Sequence, residues 1–211
     1  MLKVLIADDH EIVRRGIIQI LKEEFAFITT GEASNTDMLI EKAMAEKWDV
    51  IMSDIAMPGG GGIKALSVIK ERFPFQKFLF ISIYPEEQYA YRLISAGASG
   101  FVRKDAAPEE LVRAVKTVLE GKRYLSPVLA TRLSSREIPE ERKLLHELLS
   151  AREFEVFLKL ASGLTVSEIA RHLSVSVNTV STYRSRILEK MNLKNNADIT
   201  RYVEENKLYN T

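Results

Sequence analysis

Val50-Ile51-Met52-Ser53-Asp54-Ile55-Ala56-Met57 is an apolar run that delivers one carboxylate, Asp54, and ends at Pro58. An aspartate at the end of a buried strand is costly unless something charged meets it there. Proline and the glycines Gly59 to Gly62 follow at once, so the chain must leave the strand as a loop. Asp54 is thereby placed at the strand's carboxyl end, the edge at which open parallel α/β sheets bind ligands.

Working outward, the same alternation recurs along the first part of the chain. Leu2 to Ala7 reads as a short buried strand running into Asp8-Asp9-His10, and a helical pattern follows through Ile12, Ile17, Ile20 and Leu21. His10 reads as a solvated helix-start residue. A second strand is predicted over Ala26 to Ala33, then a helix over Asn35 to Glu46 with Met38, Leu39, Ala43 and Met44 inward. The opening stretch is the third strand. A helix over Gly61 to Phe73 leads to a fourth strand over Lys77 to Ile83, and Pro85 begins the next helix, to about Ala96. Phe101-Val102 is a brief fifth strand ending in Arg103-Lys104, and Pro108 opens an amphipathic helix through Leu111, Val112, Val115 and Leu119. Short apolar strands alternating with helices predict an α/β fold, a five-stranded parallel, doubly wound (flavodoxin-like) sheet.

The chain has 211 residues, 46% hydrophobic and 28% charged, enough for one or two globular domains. It has no cysteine, which excludes disulfides, thiolate metal sites and cysteine nucleophiles and suits a reducing compartment. No long uncharged apolar segment or signal-like start is present, so a cytoplasmic protein with no membrane partner is expected. Residues 1–121 carry 15 basic and 18 acidic side chains, a balance of −3, whereas residues 122–211 carry 15 and 11, a balance of +4. The second part therefore has the bias of a segment that meets a polyanion.

Parallel strands all point the same way, so polar groups at their ends converge: Asp8 and Asp9 from the first, Asp54 from the third, Ser82 from the fourth and Lys104 from the fifth. Three carboxylates need a cation, and hard oxygen donors suit Mg²⁺. Asp54 can then act as a nucleophile toward a phosphoryl group, with the metal and Lys104 neutralising the transferring oxygens and Ser82 donating a hydrogen bond to one of them. The glycine run lacks the Gly-Lys-Ser/Thr of a phosphate-cradling loop, since Ile63 precedes Lys64, and reads as a flexible connection.

Asp8-Asp9, Asp54 followed by Met57-Pro58, Ser82 and Lys104 resemble the receiver domain of bacterial response regulators, over roughly the first 120 residues. The resemblance implies that Asp54 accepts phosphate from a sensor histidine kinase. It also implies that Asp9, Asp54 and the backbone carbonyl of Ala56 ligate Mg²⁺ with Asp8 helping through water, and that Ser82 and Phe101 move together as the switch. Catalysis would be confined to Mg²⁺-dependent self-phosphorylation and slow self-dephosphorylation at Asp54. Two departures stand out: Gly60 and Gly61 replace bulkier or acidic residues, which suggests a looser loop, and Phe101 replaces the more frequent tyrosine. A phosphohydrolase of the haloacid-dehalogenase type would also use an aspartyl nucleophile, but it wants a second aspartate where Ala56 stands.

Residues 122–146 read as a linker, with turn chemistry at Lys122-Arg123, Ser126-Pro127 and Ser134 to Pro139. Glu140 to Leu149 could be helical, with Leu144, Leu145, Leu148 and Leu149 as an apolar strip. From 147 to 211 a second, all-α domain of four helices is predicted. Ser150 with Glu153 and Thr165 with Glu168 are capping boxes, a turn lies at Ser174 to Ser176, and further helices span Val177 to Met191 and Ala197 to Glu205. Two short helices about a tight turn make a helix-turn-helix, whose later helix enters the DNA major groove. Its outward face offers Asn178, Thr179, Ser181, Thr182, Tyr183, Arg184, Arg186 and Lys190 to phosphates and bases.

Leu149-Ser150-Ala151-Arg152-Glu153, Glu168-Ile169-Ala170, Thr179-Val180 and Ile187 to Met191 resemble the LuxR-type DNA-binding domain. That resemblance makes the last helix a candidate dimer surface. A receiver followed by such a domain is the architecture of NarL/FixJ-type response regulators. It implies a DNA-binding transcription regulator that dimerises when phosphorylated and pairs its recognition helices with two promoter half-sites, with RNA polymerase a further candidate partner. A protein-binding helical module is the alternative for the second domain.

Overall fold

The computed structural model describes residues 1–126 and 145–208. The chain divides into two compact units, Met1–Thr131 and Arg132–Thr211. No helix among the described residues is long and apolar enough to cross a membrane.

The first unit alternates strictly: β1 (Leu2–Ala7), α1 (Glu11–Glu24), β2 (Ile28–Ala33), α2 (Thr36–Ala45), β3 (Val50–Ser53), α3 (Gly61–Arg72), β4 (Phe78–Ser82), α4 (Glu86–Ser95), β5 (Gly100–Arg103) and α5 (Pro108–Leu119). The five strands are parallel in the order β2-β1-β3-β4-β5. The order reverses between β1 and β3, so their carboxyl ends flank a crevice that no crossover covers. β3 and β4 are buried at every position, as expected of strands covered on both faces. Because side chains alternate, Val4, Ile6, Val50, Met52, Leu79, Ile81 and Val102 form one face, packed with Ile17 and Leu21 of α1 and Leu111, Ala114, Val115 and Val118 of α5. Burying each large apolar side chain contributes roughly 1.5–3 kcal/mol.

Two residues expected inside lie outside. Ile12 is 86% exposed, because Ile17 and Leu21 define the inner stripe of α1 and Ile12 stands five residues, well over a quarter turn, away from Ile17. Met44 is exposed because Thr36, Leu39 and Ala43 set the buried stripe of α2, and Met44 is one step past it.

The glycine run is not the loose connection its composition suggests. Gly60, Gly61 and Gly62 are buried, Gly61 N–H donates to Met57 O (3.0 Å) and Gly62 N–H to Ile55 O (2.9 Å). Gly61 has φ +74°, a left-handed backbone that disfavours any side chain. A Cβ on Gly62 would lie 2.2 Å from the Asp54 carbonyl oxygen and 2.7 Å from Ser53 Oγ. Thr36 N–H donating to Pro58 O (2.9 Å) and Lys64 Nζ donating to Gly59 O (2.9 Å) complete the tie-down. The glycines are small so that the loop can close on the strand end.

Tyr124, in the stretch expected to begin a linker, is tied to the start of β5. Tyr124 forms a parallel bridge with Gly100, its N–H donates to Ser99 O (2.9 Å), and its hydroxyl donates to Glu110 Oε1 (3.1 Å). The motifs expected over 127–144 lie outside the described residues.

In the second unit the first described element is a 3₁₀ turn, Leu145–Leu148, within the stretch Glu140 to Leu149 that was expected to be helical. Leu149 is buried beneath it, while Leu145 and Leu148 are exposed. The helices α6 (Ala151–Ala161), α7 (Val166–His172), α8 (Val177–Lys190) and α9 (Asn196–Glu205) follow. Each start has a side-chain cap: full capping boxes at Ser150/Glu153 and Thr165/Glu168, Ser176 accepting from Thr179 N–H and Asn195 accepting from Asp198 N–H. Such caps contribute about 1 kcal/mol each. The turn between α7 and α8 is set by Ser174 at φ +50°, with Val175 N–H donating back to Ala170 O (3.0 Å). Phe154, Phe157, Ile169, Val180, Ile187, Met191, Ile199 and Val203 close the core.

Candidate functional site

The carboxyl ends of β1, β3 and β5 bring Asp8, Asp54 and Lys104 into one cluster. Asp54 N–H donates to Ala7 O (2.8 Å) and Lys104 N–H to Ser82 O (2.9 Å), so the sheet ladder fixes both backbones. Lys104 Nζ bridges two carboxylates, 2.6 Å from Asp8 Oδ2 and 2.8 Å from Asp54 Oδ2. Asp8 and Asp54 are 1% and 5% exposed. The other Asp54 oxygen accepts from its neighbour Ile55 N–H (2.7 Å), and the remaining Asp8 oxygen from His10 N–H (2.8 Å).

Burial pushes the Asp54 carboxyl above the usual carboxylate range, and the Asp8 charge adds to this against the pull of Lys104 and Ile55 N–H. Burial alone would lower Lys104, but its hydrogen bonds to Asp54 and Asp8, and their charges, raise it. Asp9, with its side chain 34% exposed, adds a third carboxylate that Lys104 does not reach. Three carboxylates against one ammonium leave a negative balance, which a divalent cation held by oxygen donors would neutralise.

Asp9, Asp54 and Lys104, but not Asp8, line an open cleft of about 300 Å³ together with His10, Ala56 and Tyr84, with Val13 and Ile83 also on its wall. Asp9, Asp54 and Ala56 all line this cleft, so carboxylate and backbone oxygens of the kind Mg²⁺ favours are available there. Ser82 is fully buried and does not line the cleft; its hydroxyl accepts from Tyr84 N–H (3.2 Å). Phe101, 2% exposed, instead walls a second cavity of about 320 Å³ with Glu86, Arg103 and Ser126. In the β4–β5 register Phe101 stands opposite Phe80, and Ser82 opposite Arg103.

Two residues at this site escape a reading of the sequence. Arg14 Nη1 donates to the Asp8 carbonyl (2.8 Å) while its Nε donates to Glu32 (3.0 Å), anchoring the acid pair to α1 and β2. Its position one turn past His10 is the signal that could have found it. His10 stands at the start of α1 with its side chain 68% exposed, as expected of a solvated helix-start residue, and makes no side-chain cap bond; what the sequence does not show is that its Nδ1 lies 2.9 Å from Asp9 Oδ1 and 3.2 Å from Asp8 Oδ1.

In the second unit the eight candidate DNA residues divide by partner. Asn178, Ser181, Thr182 and Arg186 are exposed on α8 at helical spacing, joined by Ser185, which sequence reading had left out. Thr182 Oγ1 donates to Asn178 O (2.9 Å) and Thr179 Oγ1 meets Ser176 Oγ (2.8 Å), so both hydroxyls also serve the helix start. Tyr183 is half-buried. Arg184 is half-buried too, with Nε donating to Asn196 Oδ1 (2.7 Å). Lys190 Nζ lies 2.6 Å from Glu153 Oε2, tying the end of α8 to the capping box of α6. Burial acts to raise Glu153, which is 3% exposed, but Lys190 and the Ser150 donors outweigh it and hold the carboxyl below its usual range.

Comparison with known proteins agrees with both units. Residues 4–116 match the response regulator receiver domain, and residues 147–203 match the bacterial regulatory proteins of the luxR family. Response regulator UvrY of Escherichia coli (strain K12) is 33% identical over 201 residues, covering 95% of this chain and 92% of its own. Response regulator GacA of Pseudomonas aeruginosa is 34% identical over 200 residues, covering 94% of each. RcsB from Salmonella enterica serovar Typhimurium, solved bound to promoter rprA in the presence of phosphomimetic BeF3−, matches with a TM-score of 0.69 at 27% identity. That match covers 97% of this chain and 99% of RcsB. The receiver match over more than half the chain, with relatives similar from end to end, shows that this protein belongs to the NarL/FixJ-type response regulators, DNA-binding transcription regulators with a receiver domain followed by a LuxR-type helix-turn-helix domain.

Proposed function

We propose that Asp54 is the phosphoacceptor, charged by a sensor histidine kinase, and that its phosphorylation controls dimerisation and promoter binding. The observation that carries this is the approach of Lys104 to both Asp54 and Asp8 beside an open cleft. A nucleophile must be reachable, and Asp54, only 5% exposed, lines that cleft. An Asp54 carboxylate oxygen forms the new P–O bond as the P–N bond to the kinase's phosphohistidine breaks, and the imidazole leaves with that electron pair. Lys104 would follow the phosphoryl oxygens, and Ser82, whose Oγ accepts from Tyr84 N–H, would keep its own O–H to donate to one of them. Asp9, Asp54 and the Ala56 carbonyl would hold Mg²⁺, with Asp8 acting through water; the ion supplies charge neutralisation of the transferring group. Mg²⁺-dependent self-phosphorylation and slow self-dephosphorylation belong to the same reading. Ala56 lines the cleft where a turning-over phosphohydrolase would need an acid, and its side chain carries none. Asp54→Ala is expected to abolish phosphate incorporation while leaving the fold intact; label retained on another residue would overturn the assignment.

In this reading residues 1–121 are the receiver, 122–146 the linker and 147–211 the DNA-binding domain, which works in the cytoplasm where its promoter is. That RcsB was solved bound to promoter rprA supports DNA binding by this chain, and α8, the later helix of the helix-turn-helix, is the element proposed to enter the major groove. Negative charge added at Asp54 shifts a pre-existing equilibrium through Ser82 and Phe101 toward a dimer that pairs two recognition helices, with α9 the candidate dimer surface and RNA polymerase a further partner.

The partners of the α8 cations separate two effects. Arg186→Ala is expected to weaken DNA binding evenly across sequences and reduce the salt slope by about 1. Lys190→Ala is expected chiefly to destabilise the second unit, because it leaves Glu153 buried without its cation. Glu153 has its folded value below the ordinary 4.5, so the stability it contributes is present above that pH and lost as pH falls through the folded value. Acid unfolding of the second unit, followed by circular dichroism, should therefore be blunted in Lys190→Ala.

A further inference from the structure

Arg14 is a cation beside the acidic site that is turned to the chain behind it. Its side chain is only 12% exposed, and among the described residues it is not one of those that line the cleft. Nη1 donates to the Asp8 carbonyl (2.8 Å) and Nε to Glu32 Oε2 (3.0 Å). Glu32 is in turn held from α2, where Lys42 Nζ donates to the Glu32 carbonyl (2.6 Å). An arginine placed to meet a transferring phosphoryl group would aim its planar fork into the cleft, whereas this fork spans β1 and β2.

The carbonyl it holds sits where β1 stops. Asp8 N–H still makes a rung toward β2, to Ala33 O (3.1 Å), and beyond it the Asp8–Asp9 peptide turns into α1. A planar peptide whose carbonyl is fixed has its following Cα fixed too, so the Arg14 bond sets the direction in which Asp9 leaves the strand. The two acids differ in how much this matters. The Asp8 carboxylate is held independently, by Lys104 (2.6 Å) and by His10 N–H (2.8 Å), whereas Asp9, its side chain 34% exposed at the cleft, goes where the backbone puts it. We infer that Arg14 is a positioning residue for phosphoryl transfer: through the Asp8 carbonyl it preorganises Asp9 toward the divalent ion, and the Glu32 tether keeps the guanidinium in that orientation. The inference rests on the reading that Asp9 and Asp54 hold that ion.

Two measurements on the full chain test this together: Mg²⁺ affinity by isothermal titration calorimetry, and phosphate incorporation from a small acyl phosphate across Mg²⁺ concentrations. Arg14→Ala is expected to weaken Mg²⁺ about tenfold and to raise the Mg²⁺ needed for half-maximal incorporation by the same factor, with the rate at saturating Mg²⁺ within about twofold of wild type. A merely structural role would lower the saturated rate in step with the urea midpoint and leave Mg²⁺ affinity unchanged, and that result overturns the inference. Glu32→Ala, at a side chain 45% exposed, carries the test if Arg14→Ala does not fold; it should weaken Mg²⁺ about threefold, and an unmoved affinity removes the tether. In an Asp9→Asn background Arg14→Ala should add less than about twofold, whereas a further tenfold loss would show that Arg14 does not act through Asp9. Asp9→Asn alone separates the two levels. If it leaves Mg²⁺ affinity unchanged, the metal reading of the cleft fails and the role of Arg14 falls with it; if it weakens Mg²⁺ while Arg14→Ala does not, only the role of Arg14 falls.

Discussion

Lys104→Ala is expected to destabilise the first unit by about 3–5 kcal/mol at neutral pH, seen as a lower urea midpoint with an unchanged denaturant slope. The side chain is only 11% exposed, and among the described residues its ammonium is the one cation that bridges both buried carboxylates, Asp8 and Asp54. Removing it leaves two like charges facing each other out of water. Removing Asp54 as well relieves that repulsion, so Lys104→Ala combined with Asp54→Ala should recover much of the loss. This non-additive pattern is the mark of one coupled cluster. A loss below about 1 kcal/mol for the single variant would mean that the bridge is solvated, as surface pairs are.

Gly62→Ala is expected to be as damaging, for steric reasons alone. The added Cβ would sit 2.2 Å from the Asp54 carbonyl oxygen, 2.7 Å from Ser53 Oγ and 2.9 Å from the Phe80 ring. The first of these is backbone and cannot rotate away, so β3 and α3 must separate. Overpacking a core by a methyl group costs about 1–3 kcal/mol, and this site belongs at or beyond the upper end. The change also moves Asp54 itself, so phosphate incorporation should fall together with stability. Gly16→Ala, where nothing lies within 4 Å of the added carbon, is the control and should be harmless.

These two positions show what the sequence made readable. The apolar runs of β1, β3 and β4 and the acids and lysine at the strand ends state the sheet and its active edge, because a parallel sheet sends every strand end to one side. The helix starts at Ser150 and Thr165 are equally plain, since a capping box is a local device written in four residues. Tertiary packing was not readable. Four glycines look the same whether a loop is free or clamped, and only the approach of Asp54 O to Gly62 shows which. Ile12 and Met44 look like core until the stripe of each helix is fixed by what it packs on. The direction of the His10 ring and the capture of Lys190 by Glu153 depend on elements far apart in sequence or on a single rotamer, and neither leaves a periodic trace.

The measurement to make is selection of bound DNA from a random pool by the full chain, with and without beryllofluoride, alongside Asp54→Ala. With beryllofluoride the wild-type protein should enrich a two-half-site sequence and run as a dimer, and Asp54→Ala should show neither response. Equal enrichment with and without beryllofluoride, or a response retained in Asp54→Ala, would refute control of DNA binding through Asp54.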